Sequence, residues 1–207
     1  MRSTLHTALF ITFAASLLAP VACLAGSQTQ GAKAKSGGTN PVVLMETSKG
    51  DIKIELDKRR APITVENFLN YVDQKFYDGL IFHRVISGFM IQGGGFSQDM
   101  EQKPPMAPIK LESQNGLQNK RGTIAMARTN VPDSATAQFF INVADNMRTL
   151  DYKKSGTPNG YAVFGKVIEG MEVVDAIKAV ETKKVGRHGD VPTTAVIIKS
   201  VRLINAE

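Results

Sequence analysis

An arginine lies inside an apolar segment of this sequence, where its charge requires a partner or access to water. The segment, Phe82 to Gly94, reads FHRVISGFMIQGG, and its hydrophobic residues alternate loosely with polar ones such as His83, Arg84 and Gln92. Because burial of an unpaired charge is costly, Arg84 is either a donor in a polar site or an edge-strand residue whose stem packs while its guanidinium reaches water. The spacing alone favours the second interpretation.

Two adjacent phenylalanines form a second candidate feature. Phe139 and Phe140 lie in the strand-like run QFFINV, residues 138–143. Neighbouring residues of a strand point to opposite faces, so the two rings do not both pack into the same core. One of them lines a pocket or has a second core or interface role, and the pattern leaves these alternatives open.

Several other kinds of catalytic site lack their sequence signatures. Two histidines remain after the N-terminal segment, His83 and His188, and no H-x-x-x-H or H-E-x-x-H pattern is present, so no metal site is expected. A G-x-S-x-G nucleophile elbow is also missing. The run Gly93–Gly95 is not followed by G-K-[ST], and it fits a tight turn with close backbone approach better than a phosphate loop. We expect no cofactor.

Composition and charge narrow the function further. With 43% hydrophobic and 21% charged residues, the chain is neither wholly disordered nor fibrous. The net charge of +6 is scattered, without a run of five like charges, so no nucleic-acid partner is expected. The single cysteine, Cys23, excludes an intrachain disulfide framework.

The N-terminus has the pattern of a secretory signal peptide, assigned to residues 1–25. Arg2 precedes a short apolar run, and small residues lie three and one before a cleavage point after Ala25. Lipoprotein processing at Cys23 and an uncleaved anchor are the alternatives. We therefore expect a secreted protein without a membrane span after cleavage. Residues 26–40 lack large apolar side chains and are predicted to be a flexible linker.

The remaining residues, 41–207, are predicted to form one domain in which strands dominate. Val42–Met45 and the alternating run Ile52–Leu56 indicate a hairpin. Apolar residues at helical spacing predict helices over 61–76 and around 171–177. This order favours a β-barrel or sandwich with helical plugs over alternating βαβ units. Further strands are predicted at 122–127, 138–143, 161–167 and 195–203.

Four segments together resemble the cyclophilin-type peptidyl-prolyl cis/trans isomerases, specifically the secreted bacterial kind, and they occur in the family's order. The resemblance implies a mainly β fold, a closed eight-stranded antiparallel β-barrel capped by two α-helices. The segments are FHRVISGFMIQGG (82–94), GTIAMAR (122–128), SATAQFFINVADN (134–146) and GYAVFGKVIEGMEVVDAI (160–177).

The resemblance also implies a set of site residues. By similarity to the family, Arg84 is the main catalytic group and Phe140 is the floor of the proline pocket. The resemblance places the other substrate-binding residues at Phe89, Met90, Gln92, Ala127, Arg128, Thr129, Gln138, Leu150 and Tyr161.

Three positions depart from the family pattern. Arg128 stands where the family often has Asn, and Tyr161 stands where many eukaryotic members have His. Thr149 occupies the position just before Leu150, where eukaryotic members place a tryptophan that donates a hydrogen bond to cyclosporin. We therefore expect cyclosporin to inhibit this protein weakly compared with eukaryotic members.

The implied activity is rotation about X-Pro peptide bonds, which assists the folding of exported proteins. The expected partners are proline-containing polypeptides, and the expected oligomeric state is a monomer. The alternative is a binding module that holds Pro-containing segments with incidental turnover. A secreted hydrolase would need a nucleophile that the sequence does not indicate.

Overall fold

The computed structural model describes residues 39–154 and 158–204. The predicted signal peptide, with Cys23, and nearly all of the predicted linker lie outside the described residues. Within the described residues, no helix has the length and apolar character needed to cross a membrane.

Strands make up most of the regular structure, as the sequence predicts. Eight of them form one antiparallel sheet in the order β10-β1-β2-β7-β5-β6-β4-β3, and β8 and β9 form a separate two-stranded sheet. The helices of the described part are α1 (Pro62–Asp73), α2 (Met147–Leu150) and α3 (Met171–Lys178). The strands are β1 (Val42–Thr47), β2 (Gly50–Leu56), β3 (Phe82–Ile86), β4 (Met90–Gly93), β5 (Thr123–Met126), β6 (Phe139–Asn142), β7 (Val163–Glu169), β8 (Thr182–Val185), β9 (His188–Pro192) and β10 (Ile198–Ile204).

The prediction of a closed barrel is wrong, because the large sheet is open between its edge strands β3 and β10. Among the described residues, one isolated bridge, between Ile81 and Ile197, lies where the two edges meet, and Ile198 of β10 also bonds to the backbone of Gly79 and Leu80 just before β3. The Phe82 N–H also donates to the Val196 carbonyl at 3.0 Å. From there on, β3 packs beside β9. A continuous hydrogen-bonded ladder between β3 and β10 therefore does not form.

The two predicted helices are confirmed, and both pack on the main core. Pro62 occupies the first turn of α1, where its missing N–H costs no hydrogen bond. Val65 and Phe68 of α1 and Val174 and Ile177 of α3 are fully buried in the same cluster as the inward side chains of the sheet. Burial of such apolar side chains is the main contribution that holds the helices against the strands. The short helix α2 was not predicted.

The hairpin of β8 and β9 was also not predicted. Lys183 and Lys184 of β8 are exposed, so the strand lacks the apolar alternation that marks a half-buried strand. Its two-residue connection, Gly186–Arg187, begins with a glycine at φ +55°. A glycine with positive φ at this position is typical of tight hairpin turns, and the hairpin brings its connection toward the candidate site.

Candidate active site

A row of residues in register crosses four neighbouring strands on one face of the large sheet. Arg84 of β3 pairs with Gln92 of β4, Gln92 pairs with Phe140 of β6, and Phe140 pairs with Ala125 of β5. Residues directly opposite each other in an antiparallel sheet point to the same face. The row therefore presents a charged donor, an amide and an aromatic ring side by side.

This face carries its own apolar cluster, separate from the main core. Its buried members come from four strands and from α2, and Phe89 and Tyr161 pack against them while remaining partly exposed. Phe139 points to the opposite face and is fully buried in the main core. The two adjacent phenylalanines thus belong to different clusters. The buried members are Met90, Ala125, Phe140, Leu150 and Val163.

A cavity of about 470 Å³ opens on this face, within the size range of small-ligand sites. We call the cavity and its lining residues the groove. Every predicted site residue except Thr129 lines it. The groove is lined by His83, Arg84, Phe89, Met90, Gln92, Phe96, Ala127, Arg128, Gln138, Phe140, Leu150, Tyr161, Arg187, His188 and Gly189.

Thr129 is the one predicted site residue that the structure does not bring to the groove. Its hydroxyl and its backbone N–H bond to the Ser134 hydroxyl oxygen, at 2.8 Å and 3.0 Å. Its carbonyl accepts a hydrogen bond from the Arg128 guanidinium at 2.8 Å. These local bonds use the polar groups of Thr129 within its own loop.

Arg84 lies at the open side of the groove, where 42% of its side-chain surface is exposed. Its Nε atom is 4.0 Å from an Asp190 carboxylate oxygen. An ion pair of this length between exposed groups contributes little to the free energy of unfolding. The guanidinium therefore remains accessible to a bound molecule.

Gln92 and Gln138 connect β4 to the segment before β6. The Gln92 amide donates to the Gln138 amide oxygen at 2.9 Å. Gly95 lies directly against Gln138, because a Cβ atom at Gly95 would be only 2.5 Å from Gln138 Cγ. The glycine run 93–95 thus allows the close backbone approach that the sequence predicts, and any larger residue at Gly95 would displace Gln138.

Arg128, Tyr161 and Phe140 form a stacked wall of the groove. The Arg128 guanidinium carbon lies 4.6 Å from the centroid of the Tyr161 ring, a favourable cation–π geometry. Tyr161 meets Phe140 edge to face, with centroids 5.6 Å apart. Arg128 Nε also donates to the Gly160 carbonyl at 2.9 Å. These contacts hold the arginine in one orientation.

The groove contains residues that sequence reasoning missed. His83, Phe96 and His188 lie in a row with tilted rings, whose centroids are 4.6 Å and 5.1 Å apart, and the hairpin adds Arg187 and Gly189. Burial lowers the pKa of His83 to about 4, and the charges of His188 and nearby Arg84 act in the same direction. The glycine at the start of the two-residue turn was the sequence signal that could have indicated this hairpin.

A buried polar network holds α2 and with it Leu150. The Asn119 backbone N–H and side-chain amide donate to one oxygen of Asp151 at 2.8 Å and 2.9 Å. The Asn142 amide donates to the Asn119 oxygen at 3.2 Å, and the Asn146 amide donates to the Asn142 oxygen at 2.7 Å. Because buried polar groups need such partners, the network fixes the position of Leu150 at the groove wall.

The described residues contain no group of three or more His, Cys, Asp or Glu side chains arranged to hold a metal ion. The groove instead combines an apolar floor with guanidinium and amide donors. Such a site can bind an apolar ring and donate hydrogen bonds to a polypeptide backbone beside it.

Comparison with known proteins identifies the family to which these features belong. Residues 42–203 match the model of the family described as cyclophilin type peptidyl-prolyl cis-trans isomerase/CLD. The chain is 55% identical over 166 residues to peptidyl-prolyl cis-trans isomerase A of Dickeya dadantii, covering 80% of this chain and 86% of that protein. It is also 55% identical over 160 residues to peptidyl-prolyl cis-trans isomerase B of Escherichia coli, covering 77% of this chain and 98% of that protein.

Solved structures agree with this assignment. A crystal structure of a cyclophilin-type peptidyl-prolyl cis-trans isomerase from Cryptosporidium parvum matches with a TM-score of 0.66 at 26% identity, covering 81% of this chain and 99% of that one. A structure of that same protein in the presence of the dipeptide Ala-Pro matches with a TM-score of 0.65 at 27% identity, covering 80% and 99%. The chain belongs to the cyclophilin-type peptidyl-prolyl cis-trans isomerase family and is a peptidyl-prolyl cis-trans isomerase.

Proposed function

We propose that this isomerase holds the proline ring of its substrate against Phe140 and donates a hydrogen bond from Arg84 to the proline nitrogen. The observation that carries the proposal is the row Arg84–Gln92–Phe140, which sets a charged donor two strands away from an aromatic floor. The Ala-Pro dipeptide named for the Cryptosporidium parvum structure supports an X-Pro ligand for the same fold.

The chemistry of the reaction suits these residue types. Amide resonance gives a rotational barrier of about 18–20 kcal/mol, while the two isomers of an X-Pro bond differ by only about 0.5–1 kcal/mol. No covalent bond breaks, so the enzyme must only favour the twisted state. In that state the nitrogen loses its resonance and becomes a hydrogen-bond acceptor.

Arg84 stabilises the twisted state selectively. A planar amide nitrogen accepts no hydrogen bond, so the guanidinium interacts with this atom only when resonance is lost. Interactions that are stronger in the transition state than in the ground state accelerate the step. Gln92 orients the peptide beside Arg84, and its own amide is held by Gln138. The apolar residues Met90, Phe140 and Leu150 hold the ring while the bond turns.

Arg84→Ala tests this mechanism. Removal of one aimed donor should lower kcat/KM by about 10²-fold or more, while the melting temperature should change little because the guanidinium is exposed. Arg84→Lys is the matched variant, since it retains the charge but not the planar set of donors; it should recover only part of the rate. A folded Arg84→Ala protein with normal turnover of a short X-Pro peptide would refute the catalytic role.

We further propose that the protein acts in the periplasm on exported polypeptides and assists their folding. The support is the N-terminal pattern of a basic residue, a short apolar run and small residues before the cleavage point. Mass spectrometry of the protein from fractionated cells should find a mature chain that begins at Gly26. A diacylated chain that begins at Cys23, or recovery in the cytoplasm, would contradict this proposal.

A further inference from the structure

Three of the described residues that line the groove are arginines, Arg84, Arg128 and Arg187, and none of them is an aspartate or a glutamate. The closest carboxylate to them in the described residues is Asp190, which lies 4.0 Å from Arg84 and does not line the groove. Arg128 and Arg187 form no ion pair within the described part of the chain. The positive charge of the groove is therefore only partly neutralised by the protein itself.

Arg128 is preorganised as a donor. Its Nε donates to the Gly160 carbonyl at 2.9 Å and one terminal amino group donates to the Thr129 carbonyl at 2.8 Å. The ring of Tyr161 supports the guanidinium from one face. These neutral partners fix the side chain without cancelling its charge, and the other amino group, Nη2, has no partner among residues 39–154 and 158–204. A donor whose orientation is already fixed loses little conformational entropy when it binds a ligand.

Arg187 adds a second positive charge from a different element. It lies in the two-residue connection of the β8–β9 hairpin, is exposed, and borders the groove together with His188. A cleft lined by charges of one sign raises the local concentration of oppositely charged ligands. A carboxylate matches the planar set of donors of a guanidinium better than any other protein group.

We propose that the groove selects X-Pro segments that carry an aspartate or glutamate beside the proline, and that Arg128 and Arg187 determine this specificity. The proposal rests on the isomerase function of the same groove. Arg128, which stands where the family often has asparagine, would contact the substrate's acidic side chain.

Three short peptides that differ only in the residue beside the proline test the preference: Glu, Gln and Lys. Each is prepared with the variable residue before the proline and, in a second set, after it. For the wild-type protein, kcat/KM for the Glu peptide should exceed that for the Gln peptide by about 5-fold in at least one set, and the Lys peptide should be the slowest. Raising the salt concentration from about 0.01 M to about 1 M shortens the screening length from roughly 30 Å to 3 Å and should remove most of this preference.

Variants identify the residues responsible. Arg128→Gln and Arg187→Gln should each lower the Glu/Gln ratio toward one, and the double variant should abolish the preference. Arg128→Lys keeps the charge and should retain part of the ratio. Arg148→Gln is the matched control, because Arg148 is exposed on α2 and does not line the groove; the ratio should remain at its wild-type value.

The outcomes separate this proposal from the isomerase mechanism. A wild-type Glu/Gln ratio near one in both peptide sets, with normal turnover of the Gln peptide, overturns the acidic preference and leaves the isomerase function intact. A preference that survives in the double variant overturns the assignment to Arg128 and Arg187. Absence of turnover with every peptide by a folded wild-type protein instead overturns the proposed function itself.

Discussion

Truncation of Phe139 should destabilise the protein strongly without a specific effect on turnover. Its ring is fully buried and meets the rings of Phe68, Tyr77 and Phe82 edge to face, with centroids 5.8, 5.5 and 6.1 Å away. Removal of a buried Phe costs about 3–5 kcal/mol, and the loss of three favourable edge-to-face contacts places Phe139 in the upper part of that range. We therefore expect Phe139→Ala to lose about 4–5 kcal/mol of the free energy of unfolding, a fall of roughly 10–20 °C in Tm.

Truncation of Phe140 should have the opposite balance of effects. This ring is 4% exposed, has one aromatic partner among the described residues, Tyr161, and borders the groove on its other side. Because the cavity already exists, Phe140→Ala should cost only about 1–3 kcal/mol of the free energy of unfolding. In this variant the proline ring loses the floor on which it packs. Because such an apolar contact contributes about 1.5–3 kcal/mol, kcat/KM should fall roughly 10- to 100-fold.

Thermal melts and isomerisation rates on a short X-Pro peptide measure the two effects separately, at a temperature where both variants are folded. Ile141→Val serves as a control on the core face, since Ile141 is fully buried beside Phe139; it should cost about 0.5–1.5 kcal/mol and leave turnover intact. If Phe139→Ala and Phe140→Ala prove indistinguishable in both measurements, the substrate does not bind on the face that carries Phe140.

Three further measurements test other parts of the structure. Cyclosporin should inhibit the wild type weakly, and Thr149→Trp should bind it more tightly, as measured by inhibition of turnover; tight inhibition of the wild type would contradict the reasoning. The pKa of His83 is about 4 in the folded protein and 6.5 in its ordinary environment. Between these pH values the unfolded chain binds a proton that the folded protein does not bind. The free energy of unfolding should therefore be highest above pH 6.5 and fall by about 3 kcal/mol toward pH 4. His83→Gln should remove that part of the pH dependence of the free energy of unfolding, and an unchanged profile would show that His83 is not buried in its neutral form. Asn119→Ala should cost about 1–3 kcal/mol in denaturant unfolding, because it removes the side-chain bonds to Asp151 and Asn142, although the Asn119 backbone N–H still bonds to Asp151 and Thr123 still bonds to Asn142. A loss below about 0.5 kcal/mol would show that these side-chain bonds contribute little.

The parts of the fold that the sequence predicted are those with a strong hydrophobic period. The helix from Pro62 and the strand Gly50–Leu56 follow helical and alternating patterns, and the structure places both close to their predicted bounds. The hairpin β8–β9 escaped prediction because TKKV is largely exposed and carries no such pattern. The open edge between β3 and β10 escaped prediction because pairing between distant strands leaves no local signal in either strand.

The residues of the candidate site also include some that the sequence predicted and some that it did not. Arg84, Gln92 and Phe140 lie in strands whose motifs the sequence displays, and they meet because those strands pair in register. Arg187 and His188 reach the groove only through a largely polar hairpin that the sequence did not predict. Their residue types alone therefore did not indicate that they belong to the site. Thr129 was expected to bind substrate, but its hydroxyl bonds to Ser134 in its own loop.

The pairing of Arg84, Gln92 and Phe140 in register limits the changes in chain length that this protein can tolerate. Side chains alternate between the two faces of a strand. Deletion or insertion of one residue within β4 or β6 therefore shifts the register, and the side chains beyond that point face the opposite side of the sheet. Ile91 and Ile141, now in the core, would replace Gln92 and Phe140 in the groove, while the amide would enter the core without a partner. Changes of residue type in these strands act one position at a time, whereas a change of one residue in length removes substrate binding and core packing together. We therefore expect length variation to concentrate in the connections between strands.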